Sequence, residues 1–373
     1  MSSFAQFRDA QRVKELVRML RRVYPGGTLK IMEVCGTHTM AIARFGLRDL
    51  MPGGISLISG PGCPVCVTPS SVILSALALT DLPGVVLVTF GDMMRVPAGV
   101  GHDAAKTLEK RKAEGADIRV VYSVLDILEM AEREPDRRFV FISVGFETTT
   151  PGTALTILEA ERRKLDNVFF LLSNRKVIPA LHALASSQDI RIQGFLCPGH
   201  VSVIIGYGAY REIADRYTMP CVVAGFEPVD ILMAVTDIVT RVANGSGGVG
   251  NSYGRAVTEK GNLRAQQVMD RVFKVVDGEW RGIGVIPLSG LGFRTEYERF
   301  DAFRTFLSGS QSSFSQPVEA QEPLGCRCGD VLKGIIIPTE CALFGKRCTP
   351  TSPVGPCMVS SEGSCAAYYK YGA

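Results

Sequence analysis

An α/β fold, two similar parallel-sheet domains followed by a small cysteine-rich domain, is predicted by three observations. Short apolar, β-branched runs alternate with helical patterns from about residue 29 to residue 243. Three of those runs end alike, in VTFGD (88–92), SVGFE (143–147) and VAGFEP (223–228). Six of the eleven cysteines crowd into the last 48 residues.

Residues 12–24 place Val13, Leu16, Val17 and Leu20 on one face at helical spacing, which predicts an amphipathic helix before the first strand. LKIMEV (29–34), ISLIS (55–59), VVLVTF (85–90) and IRVVYS (118–123) then read as strands, separated by helical patterns such as SSVILSALALTDL. A second series follows in FVFISVGFE (139–147), NVFFLLSN (167–174), IRIQGFL (190–196) and CVVAGFE (221–227). Such alternation predicts βαβ units in two tandem lobes. The repeated endings are consistent with duplication. Past residue 244 come a glycine-rich turn, a helix around 262–276, the strand-like RGIGVIPLSG, a helix near 294–307 and a Ser/Gln/Pro linker over 308–323.

Composition narrows the function. Hydrophobic residues make up 46% and charged residues 21%, ordinary for a globular protein, and no apolar run reaches the roughly 18–20 residues that span a bilayer. The net charge of +4 is scattered in small clusters such as Arg162-Arg163-Lys164, which argues against a nucleic-acid partner. The N-terminal MSSFAQFRDAQRVKELVRML is charged and has no signal core, so a reducing cytoplasm is the expected location.

The tail holds Cys326, Cys328, Cys341, Cys348, Cys357 and Cys365 among glycines and prolines. With few large apolar side chains it needs a staple, and in a reducing compartment iron or zinc ligation is expected over disulfides. A cluster needs four thiolates. Cys326, Cys341, Cys348 and Cys365 make a C-x14-C-x6-C-x16-C series, with Cys328 and Cys357 as spares.

In open α/β sheets ligands bind outside the carboxyl ends of strands, and that edge collects CGTH, GPGCPVC, TFGD, GFETT, LCPGH and GFEP. In GPGCPVC (60–66), Cys63 and Cys66 follow a strand and precede a helix, which lowers thiol pKa. They suit a redox couple or half a metal site, and with no second CxxC redox chemistry is the preferred reading. Cys35 and His38 of CGTH pair a soft thiol with an imidazole, suited to a transition metal or a nucleophile. Cys197 and Cys221 lie within strand-like runs and read as core. His200 fits either a cleft or a backbone bond, and His102 and His182 look structural. Glu147 and Glu227 could accept protons or simply cap helices. GSGGVG (245–250) satisfies GxGxxG but follows a helix pattern, so a turn is expected, and there is no P-loop.

CGTHTMAIARFGLRDLMP, SGPGCPVCVTP, SVGFETTTP, GFLCPGHVSVIIG, GFEPVDIL, CRCGDVLKG and GPCMVSSEGSCAAYYKYG together cover much of the chain. In these strings it resembles the HypD family of NiFe-hydrogenase maturation factors. The resemblance implies two similar α/β domains and a third, iron–sulfur domain carrying a 4Fe-4S cluster. It implies a scaffold for the hydrogenase iron centre rather than a turnover enzyme. By the same likeness Cys35 holds iron bearing CN and CO ligands, together with the N-terminal cysteine of a HypC-type chaperone. Cyanide arrives from a HypE-type donor, and the centre is destined for the NiFe hydrogenase large subunit. Cys63 and Cys66 become a dithiol/disulfide exchanging electrons with the cluster, and the family pattern favours Cys326, Cys341, Cys348 and Cys365 as its ligands. The expected layout is an N-terminal helix (1–27) packing on the third domain, α/β domains at 28–135 and 136–243, and a third domain at 244–373 with its cluster region at 326–365. The competing readings are a freestanding iron–sulfur thiol–disulfide oxidoreductase, which needs no Cys35, and a zinc-stapled binding module.

Overall fold

The computed structural model describes residues 5–99, 106–308 and 323–372. His102 and nearly all of the expected linker lie outside the described residues. Eleven strands are described: β1 (Leu29–Glu33), β2 (Ile55–Ser59), β3 (Val85–Thr89), β4 (Ile118–Val120), β5 (Arg138–Gly145), β6 (Val168–Asn174), β7 (Gly194–Pro198), β8 (Cys221–Ala224), β9 (Val249–Asn251), β10 (Phe273–Trp280) and β11 (Gly284–Phe293). They form two parallel sheets, ordered β2-β1-β7-β8-β9 and β4-β3-β5-β6, and an antiparallel β10-β11 hairpin. Strands buried on both faces read as continuous apolar runs, which is why the α/β pattern was legible.

The path between the sheets differs from the tandem expectation. The chain lays down β1 and β2, leaves to build the whole second sheet, and returns with β7–β9 to complete the first. The expected boundary at 135/136 therefore falls between β4 and β5, inside one sheet, and β9 from the expected third domain belongs to the first sheet. Similar apolar runs carry no label for the sheet they join, so sequence order was a poor guide to pairing. IRIQ also stays outside β7, while FKV (273–275), expected as helix, opens β10.

Ahead of the N-terminal helix Ala10–Val23, Phe7 lies under the guanidinium of Arg255, from the expected third domain, at 3.8 Å, but the main partner of the helix itself is elsewhere. It lies on helix Pro228–Ala243 of the first sheet, burying Leu20 in a cluster with Ile31, Ile42 and Ile238. Its start is capped by Asp9, whose carboxylate accepts the Arg12 N–H at 2.8 Å. Among the described residues no helix is long and apolar enough to cross a membrane.

The hairpin locks onto the carboxyl ends of β5 and β6. Trp280 stacks on Phe146 at 5.8 Å and donates from Nε1 to Ser289 Oγ at 2.7 Å. Arg175 donates from Nε to the Glu279 carbonyl at 3.0 Å. Beside them Glu147 is buried and accepts the Val177 N–H at 3.0 and 3.2 Å, and burial pushes its carboxyl up to about 7.

Because Glu147 is raised above its unfolded value, its stabilising proton is held below about pH 4 and lost as pH rises through 7. Urea unfolding at pH 5 and pH 8 should therefore show wild type losing roughly 2–3 kcal/mol relative to E147Q; parallel pH profiles would contradict it. A Cβ at Gly62 would stand 2.2 Å from the Cys35 nitrogen, whereas Gly53 has open space. G62A should cost about 1–3 kcal/mol and G53A almost nothing in the same assay.

Candidate thiol site at the strand ends

The turns after β1 and β2 bring two cysteine segments into backbone contact. Gly36 N–H donates to the Gly62 carbonyl at 3.0 Å. Cys35 begins helix Gly36–Arg44 and is buried. Burial and, next, the Glu362 charge push its thiol up to about 11, although the amides of His38 and Thr37 work in the opposite direction. His38 is fully buried and neutral, its pKa lowered to about 4 by desolvation. Its Nε2 faces the carbonyls of Gly225 at 2.9 Å and Ala224 at 3.3 Å, so that nitrogen carries the hydrogen. Nδ1 is left as a buried lone pair with no hydrogen-bond partner among the described residues.

Cys63 and Cys66 are joined as a disulfide, with Cα atoms 5.2 Å apart. They are 3% and 0% exposed; Cys66 lies on the one-turn helix Pro64–Val67 and Cys63 caps its start, its Sγ accepting the Cys66 N–H at 3.2 Å. That turn packs against Pro356–Met358 of the tail.

All six tail cysteines line one cavity of about 20 Å³. A Cβ on Gly355 would stand 2.6 Å from Cys326 Sγ, so a glycine is needed where the chain wraps the thiols. Hydrogen bonds with Cys326 and Cys357, and then the Arg281 charge, pull the Cys328 thiol down, while its partners are pushed up. Among the described residues no group of three or more His, Cys, Asp or Glu side chains is already placed to hold a metal ion. The donor set nonetheless fits a soft metal group: six thiols around one apolar-walled hollow with a glycine cradle. The four expected ligands line it, and so do Cys328 and Cys357, so position alone does not choose among the six.

Other expected residues take simpler parts. Cys197 and Cys221 are buried in β7 and β8. His182 packs on Tyr217. Glu227 pairs with Arg8 and stands at the start of helix Pro228–Ala243, where its N–H donates to Asp230 at 3.3 Å. GSGGVG turns into the short β9 and opens no helix. His200 stacks on Phe226 at 4.1 Å, and Phe226 in turn meets His38 at 5.0 Å, which brings His200 to the site edge.

The residues missed are those that close the site. Glu362 accepts from Thr37 Oγ1 at 2.6 Å and lies on Gly36, where a Cβ would meet the Glu362 carbonyl oxygen at 2.5 Å. Ser360 donates to Asp92 at 3.3 Å, tying the tail to the turn after β3 in the second sheet. No local pattern marks these pairings, since their partners lie hundreds of residues away.

Comparison with known proteins bears on what this arrangement is for. Residues 11–372 match the HypD family, described as "Hydrogenase formation hypA family". A hydrogenase maturation factor HypD of Rhizobium leguminosarum bv. viciae is 43% identical over 381 residues, covering 100% of this chain and 96% of the relative. The Escherichia coli K12 protein of that name is 43% identical over 373 residues, covering 98% and 97%. A putative hydrogenase expression/formation protein of Methanocaldococcus jannaschii is 41% identical over 343 residues, covering 92% of each. With the thiol site at its strand ends and a match running nearly end to end, this chain belongs to the HypD family of hydrogenase maturation factors.

Proposed function

We propose that the chain is the scaffold on which the Fe(CN)2CO centre of NiFe hydrogenase is assembled, the iron being held by Cys35 together with a thiol of a HypC-type chaperone. The observation that carries this reading is the convergence of Cys35, the Cys63–Cys66 disulfide and the six-thiol cavity around one sheet edge. Cyanide comes from a HypE-type donor, and the finished centre passes to the hydrogenase large subunit.

Cys35 is a protonated thiol at neutral pH, so it becomes a ligand only as incoming iron displaces its proton. The amides of Thr37 and His38 then support the thiolate. Cys326, Cys341, Cys348 and Cys365 would hold a 4Fe-4S group, with Cys328 and Cys357 on the same wall. Such a group supplies single electrons. Reduction of the Cys63–Cys66 bond takes two electrons and two protons and yields two thiols. Both sulfurs are shielded, which favours an internal electron supply over attack on a bulky protein disulfide. That shielding ranks the scaffold above a freestanding oxidoreductase.

The test is anaerobic co-purification with the HypC-type chaperone and the other maturation partners, followed by an infrared scan of the cyanide and carbonyl stretching region. Wild type should show bands there; C35A should lose them while retaining its other iron. C63S should stay folded, as strand-end turns tolerate such a change, yet yield no mature hydrogenase. Absent bands in wild type, with disulfide reduction intact in C35A, would establish the oxidoreductase instead.

A further inference from the structure

The helix Ala10–Val23 carries five cations, Arg12, Lys14, Arg18, Arg21 and Arg22, against one acid, Glu15, so its net charge matches that of the entire chain. All five cations are exposed. Lys14, Arg18, Arg21 and Arg22 fall on the stripe opposite the buried Val17 and Leu20. Glu15 is held by Gln11 at 3.2 Å, and among the described residues no carboxylate pairs with any of the five. Arginines elsewhere are matched: Arg48 with Glu33, Arg119 with Glu134, Arg163 with Glu132, Arg241 with Asp237 and Arg255 with Asp230. The helix dipole accounts for Arg21 and Arg22 in the last turn, but Lys14 and Arg18 repel each other one turn apart. Just ahead of the helix, Arg8, itself paired with Glu227, lies over the Phe45 ring at 5.9 Å, and exposed Arg44 lies over the same ring at 5.6 Å. Phe45 closes the helix Gly36–Arg44, which Cys35 begins, so the positive charge continues onto the Cys35-bearing helix.

We propose that this face is a docking band for an acidic protein surface, borne by a maturation partner on its way to Cys35. The inference rests on the scaffold reading, since that reading is what brings partners here. Carboxylates match the planar fork of arginine, which supplies four of the five cations. Met19 flanks the stripe at 49% exposure, and arginine and methionine are enriched where proteins meet. A membrane is the poorer match, because the apolar face of the helix is already packed on helix Pro228–Ala243 and is not free to insert. Nucleic acid is poorer too, as the helix has no aromatic side chain on which a base could stack. Exposed charges act mainly on the rate of encounter and are screened by salt. The band therefore steers the partner, and other contacts hold it.

The test measures association of the full chain with the purified HypC-type chaperone and, separately, with the purified HypE-type donor. In about 50 mM salt, K14E/R18E should associate with at least one of them about tenfold more slowly than wild type, with little change in dissociation, and the difference should vanish at about 500 mM. The double reversal replaces one like-charged pair a turn apart by another, so the helix should keep its stability. K14R/R18K should associate as wild type does, and so should K112E/R264E, which reverses two exposed cations elsewhere on the surface. An equal slowing in K112E/R264E would reflect net charge alone and overturns the proposal. Unchanged partner rates in K14E/R18E, with lost binding to phosphatidylserine vesicles or single-stranded RNA, assign the band to a membrane or a nucleic acid and also overturn it. Wild type that binds neither partner refutes the scaffold reading and this inference together, whereas partner binding indifferent to K14E/R18E refutes this inference alone.

Discussion

A Cβ on Gly62 would stand 2.2 Å from the Cys35 nitrogen, and one on Gly36 would stand 2.5 Å from the Glu362 oxygen, so the three cysteine-bearing segments approach one another only because both positions lack a side chain. Everything else at the site is built around those two contacts. Thr37 reaches Glu362, Ser360 reaches Asp92, and the tail is drawn over the carboxyl ends of both sheets. The cysteine-rich segment is therefore a cover fastened to the α/β body at several points, with its thiols turned inward. Its attachment includes Arg48, which pairs with buried Glu33 at 2.8 Å and lies over the Tyr368 ring at 4.6 Å.

Burial governs the chemistry that this cover permits. It raises Cys35, lowers His38 and shields the disulfide, so none of these groups is reactive toward bulk solvent at neutral pH. A thiol poised in this way is inert until a cation arrives to take its charge. That behaviour suits a protein that receives a metal from a partner better than one that attacks whatever diffuses past.

The strands were legible because parallel sheets buried on both faces leave continuous apolar runs, as in VVLVT and VFFLLSN. Cys35, Cys63 and Cys66 were legible because each follows such a run, at the edge where open α/β sheets bind ligands. What was hidden is long-range. The pairing of Ile31 with Gly194 and the folding of Glu362 onto Gly36 depend on packing between distant segments, which no local periodicity encodes. The N-terminal helix shows the same limit: its apolar face was evident, but the helix it covers was not.

The chain path also sets an order of events during synthesis. Lys30 meets Gln193 across 163 residues, and between them lies every strand of the second sheet. At about 5–20 residues per second, β1 emerges roughly 8–30 s before its neighbour β7 exists. Through that interval β1 offers an open edge, while the inserted sheet gains its fourth strand, β6, before β7 appears and can close first. The segment that bears Cys35 thus waits for a permanent neighbour until β7 is made, and a chaperone that shields exposed strand edges has its opportunity there.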